Sequence, residues 1–247
     1  MVKMDLRQGD CLELMKDIPD KSVDMILCDL PYGTTACKWD IIIDFDLLWK
    51  QYERVIKNNG AIVLFGTEPF SSKLRMSNLK IYKYDWYWDK LKHGNPLNAK
   101  RRPLNSTETI SVFYKKQSNY FPIMTKREKL KKSGNVKIKS DNIYFGPIDG
   151  KNRTYTHKYP NSRIEFSNAN QKGKIHPTQK PVALMEYLIK TYTNEGDLVL
   201  DNCMGSGTTG VACVNLNRNF IGIELDKKYF ELAENRIKEA QKQKKLW

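Results

Sequence analysis

The sequence predicts an α/β fold built on a mostly parallel sheet, and three observations carry that expectation. Short apolar runs, Val23 to Leu27, Ala61 to Phe65 and Phe220 to Ile223, have the length and composition of buried strands. Segments with apolar residues at helical spacing lie between such runs, as at Leu48, Tyr52, Val55 and Ile56. The alternation occupies both ends of the chain and is interrupted by a basic, polar stretch, Lys115 to Lys174. Strand, helix, strand in this rhythm implies right-handed crossovers, and so a parallel sheet with one inserted segment.

Taken in order, Met4 to Gly9 is a short strand that turns at Gly9-Asp10-Cys11 into a helix carrying Leu12, Leu14, Met15 and Ile18, stopped by Pro19. The Val23 to Leu27 strand follows. The next helix ends at Asn58-Asn59-Gly60, residues that tolerate left-handed geometry. After the Ala61 to Phe65 strand, Pro69 suits the first turn of another helix. Tyr82 to Trp88 alternates aromatic and polar residues, as an outer strand does. Asp89 to Pro103 is basic and loop-like, and Glu108 to Tyr114 returns as a strand. Lys115 to Lys174 is read as an irregular insertion outside the sheet. The rhythm resumes with a helix from Pro181 to about Thr193, a strand at Asp197 to Leu200, a glycine turn leading into a helix, and the Phe220 to Ile223 strand closed by Glu224. Asp226 caps the last helix, whose apolar face is Tyr229, Ala233, Ile237 and Ala240.

Composition narrows the partners. Of 247 residues 40% are hydrophobic, enough for a core, while 42 Lys and Arg against 28 Asp and Glu leave a formal charge of +14. That excess favours a polyanion such as nucleic acid. The five cysteines (Cys11, Cys28, Cys37, Cys203, Cys213) form no C-x-x-C pair and no ligand cluster with the three histidines, so no metal is expected and a reduced, cytoplasmic setting is. Met1 to Asp10 has no signal-peptide core, and no apolar run approaches the roughly 18 residues of a membrane span.

Two stretches can carry chemistry. Cys28-Asp29-Leu30-Pro31-Tyr32-Gly33 follows a strand, where ligands of open α/β sheets bind. Pro31 fixes its own φ and biases Leu30, which sets Asp29 as an acceptor beside the flat ring of Tyr32. A nucleobase suits that pair; an ordinary turn suits the same letters. The second stretch, Gly205-Ser206-Gly207-Thr208-Thr209-Gly210, matches G-x-G-x-x-G between a strand and a helix, with Glu224 ending the next strand. Such a turn lets backbone approach an adenosine-containing cofactor whose ribose an acidic residue binds, and does not separate a dinucleotide from S-adenosylmethionine. Only 23 residues follow Glu224, too few for a second mononucleotide-binding half, so the amino-terminal strands are expected to complete the sheet and set Asp29 beside the glycine turn.

In combination these motifs resemble the amino-group DNA methyltransferases. Asp29-Leu30-Pro31-Tyr32 resembles their D-P-P-Y motif, and Asp201 to Gly210 their cofactor motif D-P-F-x-G-S-G-T-T. His176-Pro177-Thr178-Gln179-Lys180-Pro181 is similar to the segment preceding that motif in members of β-group order, and Phe65 to Phe70 and Gly9-Asp10-Cys11 also fit. Leu30 departs from the first proline of D-P-P-Y, and Asn202-Cys203 from Pro-Phe. The resemblance implies a Rossmann-like class I S-adenosylmethionine-dependent fold with a mostly parallel seven-stranded sheet. Residues 1–114 would be the catalytic half, 115–175 an inserted target-recognition region, and 176–247 the cofactor-binding half.

It further implies base flipping in double-stranded DNA, with Tyr32 stacking on the target base while Asp29 and the Leu30 carbonyl accept its amine hydrogens. Gly205, Ser206 and Gly207 of the cofactor motif would meet S-adenosylmethionine with Asp201; Glu224 would take the ribose, Asp10 the neighbourhood of the adenine ring, and Thr178 and Lys180 the methionine carboxylate. Asp at the first motif position favours adenine, the alternative being the amine of cytosine; a nucleotide-dependent oxidoreductase is the alternative from another class. Restriction-modification is the implied context, and a homodimer the implied assembly.

Overall fold

The computed structural model describes residues 2–33, 40–94, 96–132, 137–138, 148–149, 154–168 and 179–244. The elements are β1 (Met4–Gln8), α1 (Cys11–Leu14), β2 (Val23–Cys28), α2 (Phe45–Val55), β3 (Ile56–Gly66), α3 (Phe70–Ser77), β4 (Tyr82–Gly94), β5 (Asn105–Phe113), β6 (Thr125–Lys132), β7 (Lys137–Ile138), β8 (Ile148–Asp149), β9 (Thr154–Lys158), β10 (Arg163–Glu165), α4 (Val182–Tyr192), β11 (Leu198–Asp201), α5 (Thr208–Asn215), β12 (Asn219–Glu224) and α6 (Lys227–Lys244). They form two compact units, one from Met1–Phe121 with Ser162–Trp247, the other Pro122–Asn161.

The first unit is an eight-stranded sheet in the order β1-β12-β11-β2-β3-β5-β4-β10. β1, β12, β11, β2 and β3 are mutually parallel, and only β5 runs against its neighbours. Both faces are buried, as the continuous apolar runs require. Met25 and Leu27 of β2 face a core with α4, α5 and α6, whereas Ile26 and Cys28 face a second core with α2 and α3. β3 repeats the division, with Ala61, Val63 and Phe65 on one side and Ile62 and Leu64 on the other, as a period of two demands.

Four expectations change. The sheet has one strand more than seven, because Arg163–Glu165 leaves the supposed insertion and pairs parallel with β4 through Tyr87, Trp88 and Asp89. β4 therefore has a neighbour on both edges from Tyr87 to Asp89, and there it is not an outer strand. It also runs on to Gly94, so Lys90 belongs to a strand and not to a basic loop. Finally, α2 ends at Val55 and β3 starts at once; Asn58 and Asn59 accept backbone bonds from Lys116 and Asn119 rather than capping a helix. Gly60 is required there because a Cβ would lie 2.7 Å from the Asp24 carbonyl of β2.

The second unit pairs β6 with β9 antiparallel, Thr125 opposite Lys158 and Lys131 opposite Tyr155, with a separate β7–β8 pair. Lys126, Lys129, Lys131 and Lys132 on β6 are exposed.

The turn after β11 is held by its own residues. Asp201 accepts from the Cys203 N–H (3.2 Å) and the Thr209 hydroxyl (2.5 Å), which ties the strand to α5. Gly207 caps α5 at φ 76°, and a Cβ on it would sit 2.9 Å from the Ala233 Cβ of α6. Its missing side chain is thus demanded by conformation and by helix packing together. Gly207→Ala is expected to lower stability by about 2–4 kcal/mol in urea unfolding, from left-handed strain plus overpacking.

Asp201 is 3% exposed, and burial pushes its carboxyl up to about 7 despite the two donors. The folded state therefore binds a proton that the unfolded state releases near pH 4, and stability falls as pH rises from about 4 to about 7. Asp201→Asn keeps the shape without the titration. It should melt above the wild type at pH 8, with the gap closing toward pH 4 and amounting to about 2–4 kcal/mol at full ionisation; thermal denaturation across pH reads this directly.

Candidate active site

The parallel strands deliver their last residues to one edge. β1 leads into Asp10, β12 ends at Glu224, β11 at Asp201, and β2 leads into Asp29. Because β5 is antiparallel, its early residue Glu108 reaches the same edge. These residues line one cavity of about 540 Å³, with Leu30, Pro31, Tyr32, Lys180, Gly205, Ser206 and Thr208.

At the β2 end, both Asp29 oxygens are engaged. Oδ1 accepts from the Tyr32 hydroxyl at 2.5 Å, and Oδ2 from the Lys180 ammonium. The Tyr32 ring stacks on Phe70 with centroids 4.8 Å apart and planes 30° from parallel. Burial first, then the Asp29 charge, pushes the Tyr32 hydroxyl well up, so it remains a donor. Leu30 is 4% exposed and packs into the core of β2 and α2, so apolar burial holds the backbone where a proline would otherwise constrain it.

Lys180 is 7% exposed and meets two carboxylates, Asp29 and, at 3.6 Å, Glu108. Glu108 is also held by Lys90 at 2.8 Å. Burial works against the Lys180 charge, but the two carboxylates outweigh it and hold its pKa above the ordinary lysine value. Burial likewise opposes the Glu108 charge, and Lys180 and Lys90 hold its carboxyl below the usual range. Lys180 thus lies at the Asp29 end of the cavity, paired with two carboxylates.

At the β11–β12 end, Glu224 accepts from the Gly205 N–H at 2.8 Å and the Asp226 N–H at 2.9 Å, one on each oxygen. Burial raises its pKa in spite of these donors. Each oxygen keeps a lone pair for a ligand hydroxyl. Asp10 caps α1 through Oδ1, accepting from Leu12 N (2.7 Å) and Glu13 N (3.3 Å). Ser206 donates to Gln179 at 3.3 Å and accepts from Arg236 at 2.9 Å. Gly207 faces α6, and among the cavity-lining residues are its neighbours Gly205, Ser206 and Thr208 but not Gly207 itself. Asn202, in place of the motif proline, is 2% exposed and accepts the Tyr52 hydroxyl at 2.5 Å, while its amide contacts the Cys11 and Cys203 sulfurs at 3.5 Å.

The structure therefore brings together Asp10, Asp29, Leu30, Pro31, Tyr32, Lys180, Asp201, Gly205, Ser206 and Glu224 around one cavity. Thr178, with His176 and Pro177, lies outside the described residues. Sequence reasoning missed Glu108, placed Lys90 in a basic loop, and named Phe70 only within the Phe65 to Phe70 segment, without its contact to Tyr32. Glu108 opens an ordinary-looking strand, and only the pairing of β5 with β3 and β4 carries it to the site. No group of His, Cys, Asp and Glu among the described residues could hold a metal ion.

The chain is 30% identical to the type II methyltransferase M2.MboI of Moraxella bovis, covering 94% of this chain and 86% of that one. It is 29% identical to M.HpaI of Haemophilus parainfluenzae, over 93% and 72%. Among solved structures, M1.HpyAVI in complex with SAM superposes with a TM-score of 0.66 at 31% identity, covering 95% of this chain and 98% of that one. The profile of the DNA methylase family spans residues 23–235, which takes in both the Asp29 motif and the glycine turn, and the chain belongs to that family of N6/N4 amino-group DNA methylases.

Proposed function

We propose that this DNA methyltransferase transfers the methyl group of S-adenosylmethionine to the exocyclic amine of adenine in duplex DNA, with Asp29, Leu30, Pro31 and Tyr32 receiving the base. The observation that carries the reading is the shared cavity: a carboxylate beside an aromatic ring at one end, and the Glu224–Gly205 turn at the other. The cavity fits the cofactor. Its volume lies in the range of small-molecule sites, roughly 300–1,000 Å³. Its acceptors Glu224 and Asp10 match the hydroxyl and amine donors of an adenosine, and acidic residues suit a cation. Bound there, S-adenosylmethionine supplies an electrophilic methyl group on a sulfonium.

The residues of the chain supply position and electrostatics. Glu224 would accept from the ribose hydroxyls, Asp10 would lie toward the adenine, and Asp201 holds the turn that presents Gly205 and Ser206. Asp29 would accept one amine hydrogen and the Leu30 carbonyl the other. Held this way, the nitrogen lone pair, otherwise delocalised into the ring, would be turned toward the methyl group that the cofactor supplies, and the amine would give up one proton to solvent as the methyl group is taken on. Tyr32 would stack on the base, a contact of about 1–3 kcal/mol. Burial of the pocket strengthens each of these bonds relative to water, and no covalent enzyme intermediate is needed.

Residues 1–114 and 176–247, with the β10 strand that joins their sheet, act in this scheme as one methyltransferase domain, and the rest of residues 115–175 act as the target-recognition segment. The exposed lysines of β6 support DNA backbone contact there, since phosphate binding positions a duplex without reading it. The thiols described are free, in keeping with a cytoplasmic enzyme acting on DNA. No helix among the described residues is long and apolar enough to cross a membrane.

Incubation of unmethylated duplex DNA with labelled S-adenosylmethionine, followed by nucleoside mass spectrometry, should yield label in N6-methyladenine, absent with Asp29→Ala. Label in N4-methylcytosine would reverse the base assignment, and no label would refute the reaction. Tyr32→Phe keeps the ring and loses only its bond to Asp29, so it should retain far more activity than Tyr32→Ala, which should fall about 10- to 100-fold in kcat/KM. Binding should weaken with added salt at a log–log slope of about −0.9 per phosphate neutralised, readable by fluorescence anisotropy.

A further inference from the structure

We propose that Glu108 is a positioning residue for methyl transfer: it takes over the Lys180 ammonium when the amine of the target base claims Asp29. The inference rests on the function proposed above. The carboxylate assigned to the base is already engaged, Oδ1 by Tyr32 and Oδ2 by Lys180. An incoming amine therefore competes with a cation for the same group. Lys180 is too deeply buried to be left without a counter-ion, since an unpaired charge away from water is far costlier than a paired one.

Glu108 is built to receive it. Its Oε1 is fixed by Lys90 at 2.8 Å, whereas Oε2 is buried and makes no hydrogen bond, although the Lys180 nitrogen is only 3.6 Å away. A carboxylate oxygen left without a donor in the interior is destabilising. A shift of about 1 Å would bring Lys180 Nζ into charge-assisted bonding range of that oxygen, around 2.7–2.9 Å. The same movement frees Asp29 Oδ2 for the base. No net charge moves, because Asp29, Lys180, Glu108 and Lys90 sum to zero before and after, and the base enters neutral. The Phe65 ring, whose centre lies 5.1 Å from Lys180 Nζ, gives the ammonium an attractive surface alongside both positions.

The exchange separates from a fixed ion pair by a double-mutant cycle. Glu108→Gln keeps the shape and leaves Lys180 only a neutral alternative to Asp29, so the base must compete with a cation that has nowhere to go. On a duplex carrying the site mapped with the wild type, its single-turnover rate at saturating S-adenosylmethionine should fall about 10- to 100-fold, the range of one charge-assisted bond. Adding Lys180→Met removes the competitor and should restore most of that loss. A duplex with purine, which lacks the amine, at the target position should bind Glu108→Gln and wild type equally. The cofactor-induced rise in melting temperature should be the same in both, which excludes misfolding. Wild-type rates in Glu108→Gln, or a double variant slower than Glu108→Gln alone, would overturn the exchange and leave Lys180 as a fixed support for Asp29. A wild type that methylates no base would instead overturn the functional reading, and the exchange with it.

Discussion

The pairing of β11 with β2 joins the two ends of the chain, and the site exists because of it. Val199 lies opposite Met25 and Leu200 opposite Ile26, so the strand that leads into Asp29 is bonded directly to the strand that leads into the glycine turn. Asp24 pins the register from its own side chain, accepting from the Leu198 N–H at 2.9 Å and from Lys57 at 2.6 Å. In a parallel ladder, slipping by one residue would turn both apolar faces inside out. Here it would also part Asp29 from Asp201, so the same apolar burial that stabilises the sheet fixes the geometry of the chemistry.

Gathering strand ends at one edge also gathers acid. Asp10, Asp29, Asp201, Glu224 and Glu108 all line one cavity, yet they are managed differently. Asp201 and Glu224, bonded to neutral donors, drift toward the protonated form as burial dictates. Glu108 keeps its charge because Lys180 and Lys90 outweigh the burial. The cavity therefore separates an end of softened carboxyls, Asp201 and Glu224, from an end where Glu108 and Lys180 keep their charges. Breaking one member of the charged set would leave an uncompensated ion, which is far worse than never having built the pair.

Local rules located most of the elements, and they failed where a contact distant in sequence decided. Asn58-Asn59-Gly60 has the letters of a helix end, but Gly60 is small because β2 passes against it. Lys90 and its neighbours have the composition of a solvated loop, yet pairing with β5 extends β4 through them and turns Lys90 inward to Glu108. Gly207 sits in a cofactor motif, while its own demand comes from Ala233 on α6. The strand Arg163–Glu165 is too short to stand out from a polar stretch, and it forms because β4 offers an edge with Ile164 buried beneath.

What the sequence alone determined is the class of fold and the identity of the two motifs, because a buried parallel strand must be apolar and a strand-to-ligand turn needs Asp, Pro or Gly at set positions. Those are local requirements, written within a few residues. Which groups share a charge, by contrast, was decided only by tertiary structure. Lys180 lies far along the chain from both Asp29 and Glu108, and no local pattern reports a pair that forms when strands of opposite direction bring their ends to one edge. The partner of a buried ion is set by what it is folded against, and that is a property of the sheet order rather than of any stretch of sequence.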